Sequence, residues 1–386
     1  MDYGKISLKR HKELKGKIEV AAKAKIKSLE DLAVFYTPGV AEVSRQIAKD
    51  RAKSWDYTNR SNSVAVISDG SAVLGLGNIG AEAAQPVMAG KALLMKEFAG
   101  IDAYPIVLAT QDTEEIIKTV KYLAPNFGAI NLEDISAPRC FEIEERLQDL
   151  GIPVMHDDQH GTAVVVLAGL INATKLVGKK LENCKIVIVG AGAAGTAIAL
   201  MLAHYTKDKA DICAVDRQGI VCSIEDKLKR KICKATNCKT ISGGLDRAII
   251  GADIFIGVSA PNILKQPHIK KMAKDPIVFA MANPIPEIMP DDAESAGAKI
   301  VATGRSDFKN QVNNVLAFPG IFRGALDAKV TKITTEMLVA AAEALARSVK
   351  NPMVDKILPS PLERLVVKNI SRAVKAQAQK EKVIRI

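Results

Sequence analysis

The stretch "KIVIVGAGAAGTAIALMLAHY", residues 185–205, decides the architecture. Five apolar, mostly β-branched residues read as a buried strand. Gly190, Gly192 and Gly195 follow in a G-x-G-x-x-G spacing, with Ala193 and Ala194 between them, and an apolar helix comes next. Glycines there let the backbone turn and approach a pyrophosphate, and the helix N-terminus offers free N–H groups and the positive end of its dipole. Asp216 closes the next apolar run, "DICAVD", about 20 residues on, where an acid binds ribose hydroxyls. Three glycines also make a plain strand–helix turn with no ligand. The strand before, the helix after and the downstream acid favour a dinucleotide. A carboxylate at Asp216 repels a 2′-phosphate and so favours NAD. Arg217, directly after it, works against that preference and leaves NADP open.

Outward from this stretch the pattern repeats. "SVAVIS", "DAYPIVLAT", "GAINL" and "IPVM" read as short buried strands between residues 63 and 155. "EAAQPVMAGKALLMKEFA", "DTEEIIKTVKYLA" and "PRCFEIEERLQDLG" alternate with them as helices, and residues 161–177 form another apolar helix. After the glycine turn come strands at "DICAVD", "ADIFIGVS", "PIVFAMA" and "AKIVATG", then closing helices at "TTEMLVAAAEALARSV" and "PLERLVVKNISRAVKAQA". Strand–helix alternation of this kind builds parallel sheets covered by helices. The expected fold class is α/β: an N-terminal α/β substrate domain over residues 1–155, then a Rossmann-type dinucleotide-binding domain over 156–386, both with mainly parallel sheets.

Composition narrows the function. No N-terminal secretory signal is visible, and no apolar run reaches the roughly 18 residues of a membrane span. Six cysteines (Cys140, Cys184, Cys213, Cys222, Cys233, Cys238) form no CxxC pair or zinc spacing, so reduced, mostly buried thiols in a cytoplasm are expected. The net charge of +11 concentrates in "KISLKRHKELKGK" and "KAQAQKEKVIRI" at the two ends. With few aromatics and no nucleic-acid motif these read as solvated helix faces, and no nucleic-acid or membrane partner is expected. A positive field favours anionic substrates.

Two acidic pairs sit where strands end. Glu133 and Asp134 follow "GAINL"; Asp157 and Asp158 follow "IPVM" within "VMHDDQHGTA". The carboxyl edge of a parallel sheet is where ligands bind. Helix capping accounts for one acid at each place, but not for two adjacent acids at both. Four converging carboxylates need protons or a cation, and oxygen donors suit Mg²⁺ or Mn²⁺. His156 and His160 are expected to be local hydrogen-bond partners rather than ligands. Lys91 has only apolar neighbours at helical spacing: Ala84, Val87, Met88, Leu94, Met95 and Phe98. It must either snorkel to water or lose solvation, and desolvation lowers a lysine's pKa toward that of a general base. Its position leaves both open. Tyr36, before a Pro-Gly turn, reads by itself as packing with an outward hydroxyl.

Taken in order, "YTPGVAE", "SDGSAVLGLGNIG", "GKALLMKEFAGIDAYPI", "NLEDI", "HDDQHGTA", "VGAGAAG", "ANPIPEI" and "GRSDFKNQVNNVLAFPGIFRGALD" resemble malic enzymes of the small bacterial and archaeal type, over residues 36–327. The resemblance implies oxidative decarboxylation of (S)-malate to pyruvate and CO₂, with oxaloacetate also decarboxylated, using NAD(P)⁺ and Mg²⁺ or Mn²⁺ in at least a homodimer. It implies Tyr36 as general acid and Lys91 as general base. Glu133, Asp134 and Asp158 would be metal ligands, with Asp157 a close neighbour. Asn283 would contact nicotinamide and substrate, and Asn314 substrate. Larger members carry a carboxylate-binding arginine after "DGE"; here Ala72 stands at that place, leaving Ser71 or the amides of "LGLGNIG" as candidates. Other readings are an amino-acid or 2-hydroxy-acid dehydrogenase, which needs no divalent ion, and a nucleotide-binding regulator without catalysis.

Overall fold

The computed structural model describes residues 2–73, 75–221, 227–237 and 242–385. The chain opens on α1 (Tyr3–Leu14), α2 (Leu29–Phe35), α3 (Val40–Lys49) and α4 (Ser54–Tyr57), none of which buries a residue. A first sheet follows: β1 (Ser63–Ser68), β2 (Asp102–Val107), β3 (Ala129–Leu132) and β4 (Val154–His156). Its order is β2-β1-β3-β4, with every pairing parallel. The crossovers carry α5 (Ala81–Ala99), α6 (Thr113–Leu123) and α7 (Arg139–Arg146). β1, β3 and β4 are buried throughout because helices cover both faces and leave no wet side to alternate toward, while the edge strand β2 is half-buried.

Next comes α8 (Asp157–Leu176), buried on nearly all sides. A helix apolar all round belongs in a core, and Val164, Leu167 and Leu170 share one apolar cluster with Met88 and Met95 of the first unit and Ile186 and Ile188 of the second.

The second sheet has the order β10-β9-β8-β5-β6-β7. Its strands are β5 (Lys185–Val189), β6 (Asp211–Asp216), β7 (Gly219–Ile220), β8 (Ile254–Gly257), β9 (Ile277–Ala280) and β10 (Ile300–Thr303). All pairings are parallel except the short β6–β7 hairpin. Around it lie α9 (Ala193–Thr206), α10 (Lys227–Lys234), α11 (Leu245–Ala248), α12 (Gln266–Ile269) and α13 (Pro290–Ser295). The chain closes on α14 (Phe318–Asp327), α15 (Thr335–Arg347) and α16 (Leu365–Glu381).

The α/β class with two mainly parallel sheets is the one expected, and the largest boundary differences are in the helices. The helix read over 161–177 begins at Asp157, so the acidic pair occupies its first turn, where carboxylates are stabilised by the helix dipole. The helix read from Pro138 to Gly151 ends at Arg146, and the last helix begins at Leu365 rather than Pro361. Cys140, Cys184, Cys213 and Cys233 are buried as expected, whereas Cys222 and Cys238 lie outside the described residues. Among the described residues no helix is long and apolar enough to cross a membrane.

Candidate active site

The carboxyl ends of both sheets face one cavity of about 450 Å³. The first sheet contributes Ala72, Asp134 and Asp158; the second contributes Gly192 and Asn283, and Asn314 closes it from the segment before α14. Parallel strands present all their carboxyl ends to the same edge, so two such sheets joined through α8 bring residues far apart in sequence around one space.

Glu133 and Asp134 leave the end of β3, and Asp158 sits in the first turn of α8. One carboxylate oxygen from each lies within 4.8 Å of the others. The Asp134 N–H donates to Asp158 Oδ2 at 2.8 Å, while Asp134 Oδ2 is buried with no hydrogen-bond partner. Burial, together with the charges of Asp158 and Glu133, pushes Asp134 up to about 9. Burial also raises Glu133 and Asp158. An orphaned buried carboxylate oxygen beside two others is the donor set that a hard divalent cation takes, and the residues fit that ion.

Lys91 comes from α5, and its side chain is 11% exposed. Its Nζ lies 2.5 Å from Asp157 Oδ2 and 2.9 Å from Glu133 Oε1, with the Phe318 ring centroid 4.5 Å away. Neither sequence alternative describes it fully. The lysine is desolvated, which by itself lowers its pKa, but the charges of Asp157 and Glu133 outweigh burial and hold the ammonium well above its ordinary value. The expected lowering does not occur here, because two carboxylates from other elements replace the lost water. Asp157 is itself pushed up to about 6 by burial, against the opposing pull of Lys91. Gly161 makes this geometry possible: a Cβ there would meet Asp157 Oδ1 at 1.9 Å.

Behind this cluster, the Glu144 carboxylate of α7 accepts the His156 N–H at 2.8 Å and Gln159 Nε2 at 3.1 Å, and lies 2.9 Å from His160 Nε2. His160 is the local hydrogen-bond partner expected. His156 is not: neither ring nitrogen has a hydrogen-bond partner, and Nε2 lies 3.7 Å from Asp158 Oδ2. Ser71 is not available for an incoming carboxylate. Its hydroxyl donates to Asp69 Oδ1 at 2.6 Å and accepts from the Ser136 N–H and from Arg139, each at 2.9 Å. The Ala72 N–H is likewise committed, to the Asp134 carbonyl. Arg139, which pattern reading missed, brings a cation to this loop and meets Asp69 Oδ2 at 3.0 Å. Arg305 is anchored outside the acidic cluster, paired with Asp307 and donating to the Pro284 carbonyl at 3.0 Å.

The glycine turn fits a dinucleotide. A Cβ on Gly195 would meet the Gly190 carbonyl at 1.7 Å, so only glycine lets α9 start this close to β5, while Gly192, its N-cap, faces open space. Gly192, Ala193 and Ala194 line the cavity. Asp216 ends β6, and Arg217 beside it is exposed. The Asn283 amide donates to the Met281 carbonyl at 3.4 Å within the cavity wall. Tyr36 is not brought to Lys91: it caps the end of α2, is 67% exposed, and its hydroxyl has no hydrogen-bond partner among the described residues.

The family model for the malic enzyme N-terminal domain matches residues 15–148, and that for the malic enzyme NAD binding domain matches 159–383. The chain is 52% identical to the bifunctional malic/malolactic enzyme of Bacillus subtilis (strain 168), over 97% of this chain and 93% of that protein. It is 55% identical to the NAD-dependent malic enzyme of Geobacillus stearothermophilus, over 96% of this chain and 78% of that protein. The crystal structure of an NAD-dependent malic enzyme from Thermotoga maritima superposes with a TM-score of 0.92 at 52% identity, covering 96% of this chain and 98% of that one.

Proposed function

This chain belongs to the malic enzyme family and oxidatively decarboxylates malate with a nicotinamide dinucleotide, and on that premise we propose how its own side chains divide the work. The observation that carries the reading is the cluster of Lys91, Glu133, Asp134 and Asp158, of which Asp134 and Asp158 line the cavity that the glycine turn also lines. Glu133, Asp134 and Asp158 hold a divalent ion, Mg²⁺ or Mn²⁺. Bound there, the ion would supply Lewis acidity to the substrate and a positive charge opposing the carboxylates' hold on the Lys91 proton. Lys91, in its neutral form, accepts the hydroxyl proton of malate as hydride leaves C2 for the nicotinamide. Asn283 and Asn314 orient the substrate across the mouth of the second sheet. Tyr36 protonates C3 after CO₂ departs, and Lys91 returns its proton to the tyrosinate.

Tyr36 requires a second copy of the chain. Leu29, Val34, Phe35 and Val40 are exposed around it, and an apolar arm of that kind is covered in an assembly. The protein is therefore a homodimer in which the arm of one protomer reaches the cavity of its partner. The substrate unit spans residues 1–155 and the dinucleotide unit 156–386, dividing where β4 runs into α8. The buried thiols suit the cytoplasm.

The test is reduction of NAD⁺ and NADP⁺ by (S)-malate, before and after EDTA and with Mn²⁺ restored. Equimolar pyruvate and full dependence on the metal are expected. Malate oxidation that persists in EDTA without pyruvate would identify a simple 2-hydroxy-acid dehydrogenase instead.

Metal binding is expected to release protons. Asp134, held at about 9, carries a proton at pH 7.5 that an ion must displace. Titration calorimetry with Mn²⁺ in buffers of different ionisation enthalpy should show on the order of one proton released; heats independent of the buffer would contradict it. A carboxyl raised from 3.8 to about 9 binds a proton in the native state that the unfolded chain has lost. The metal-free protein therefore loses stability as pH climbs through that window, and the metal offsets the loss.

A further inference from the structure

The carboxylate that should exclude a 2′-phosphate is neutralised in this chain. Asp216 ends β6 beside the glycine turn, where the Gly190 N–H donates to the Val215 carbonyl at 2.9 Å, and an acid at this place in such a fold meets the adenosine ribose of a dinucleotide. Its Oδ1 accepts the Gln218 N–H at 2.7 Å, and its Oδ2 lies 2.7 Å from Lys229 Nζ. Lys229 also donates to Gln218 Oε1 at 2.5 Å. Both side chains are largely shielded, with Lys229 16% and Asp216 19% exposed, so solvent screens the pair only in part. Lys229 lies on α10, whose sequence "KLKRKICK" has no acid in its first turn.

We propose that Lys229 is the residue through which this enzyme accepts a dinucleotide carrying a 2′-phosphate as well as one without. With the unphosphorylated coenzyme, Lys229 stays on Asp216, whose remaining lone pairs take the ribose hydroxyls. With the phosphorylated coenzyme, the ammonium turns from the carboxylate to the phosphate, a doubly charged acceptor that its flexible four-carbon stem can follow. Sequence spacing alone favours NAD, because it shows the acid and not the lysine that neutralises it.

The inference rests on the dinucleotide reading of the site, and the experiment separates the two. Binding of NAD⁺, NADP⁺ and 2′,5′-ADP is measured by calorimetry on the wild type, Lys229→Ala and Lys229→Arg, alongside malate turnover with each coenzyme. The wild type is expected to bind and use both. In Lys229→Ala the NADP⁺-to-NAD⁺ ratio, in affinity and in kcat/KM, should fall by about tenfold or more, carried mainly by KM. Binding of 2′,5′-ADP should weaken in parallel, and Lys229→Arg should restore it. Should Lys229→Ala bind neither coenzyme, Lys229→Gln, which keeps a hydrogen bond to Asp216, is read the same way. An unchanged ratio in the variant, or a wild type that binds NAD⁺ but not NADP⁺, overturns the inference. A wild type that binds neither overturns the dinucleotide reading itself.

Discussion

Lys91→Ala protein is expected to lose malate oxidation by about 10²- to 10⁴-fold in kcat, the range for removing a positioned proton acceptor. KM should move far less. The side chain is well placed for this loss, because it touches no bulk-facing partner and is gripped by Asp157 at 2.5 Å and Glu133 at 2.9 Å. The same truncation leaves those two buried carboxylates without their cation. Breaking a buried pair by removing one partner costs about 3–5 kcal/mol, so the metal-free variant should melt well below the wild type, and added Mn²⁺ should recover part of the difference. A variant that oxidises malate at near wild-type rate would strip Lys91 of its role. Mixing adds a second readout. If Tyr36 comes from the partner, Lys91→Ala and Tyr36→Phe subunits, each inactive alone, should regain activity when exchanged together, since half the sites in each mixed dimer hold both native residues. If Tyr36 serves its own chain, every mixed site lacks one of them and nothing returns.

The second large effect is expected of Asp158→Asn. Affinity for Mn²⁺, followed by titration calorimetry, should drop by more than about a hundredfold, beyond the 10- to 100-fold typical of a group that only supports a ligand. Asparagine keeps an oxygen for the Asp134 N–H that Asp158 Oδ2 accepts at 2.8 Å, so the turn between β3 and α7 survives and the loss reports on the ion. Dinucleotide binding by the same protein shows that the fold is intact. Unchanged Mn²⁺ affinity would remove Asp158 from the ligand set.

Much of this molecule is legible in one dimension. The runs that became β1, β3 and β5 are short, apolar and bounded by turn residues, and their strands begin and end within a residue of the reading. Acids directly after such runs must lie at the carboxyl edge of a parallel sheet, whichever way the chain crosses over, so Glu133, Asp134 and Asp158 could be placed together before any coordinates. The helix that the sequence places over 161–177 starts at Asp157, and Gly161 lies inside it. The purpose of that glycine is tertiary: it clears room for the Asp157 carboxylate.

What the sequence by itself determined is therefore the order of elements, the edge of the sheet and the chemistry that gathers there, because strand periodicity, glycine turns and acid placement are local properties of neighbouring residues. The tertiary structure alone decided the charge state of Lys91, the masking of Asp216 by Lys229, the commitment of Ser71 to Asp69 and Arg139, and the isolation of Tyr36 from its own chain's cavity. Each depends on a contact, or its absence, between segments whose spacing carries no periodic signal. Coulombic partners act through a few ångströms of space irrespective of how much chain separates them.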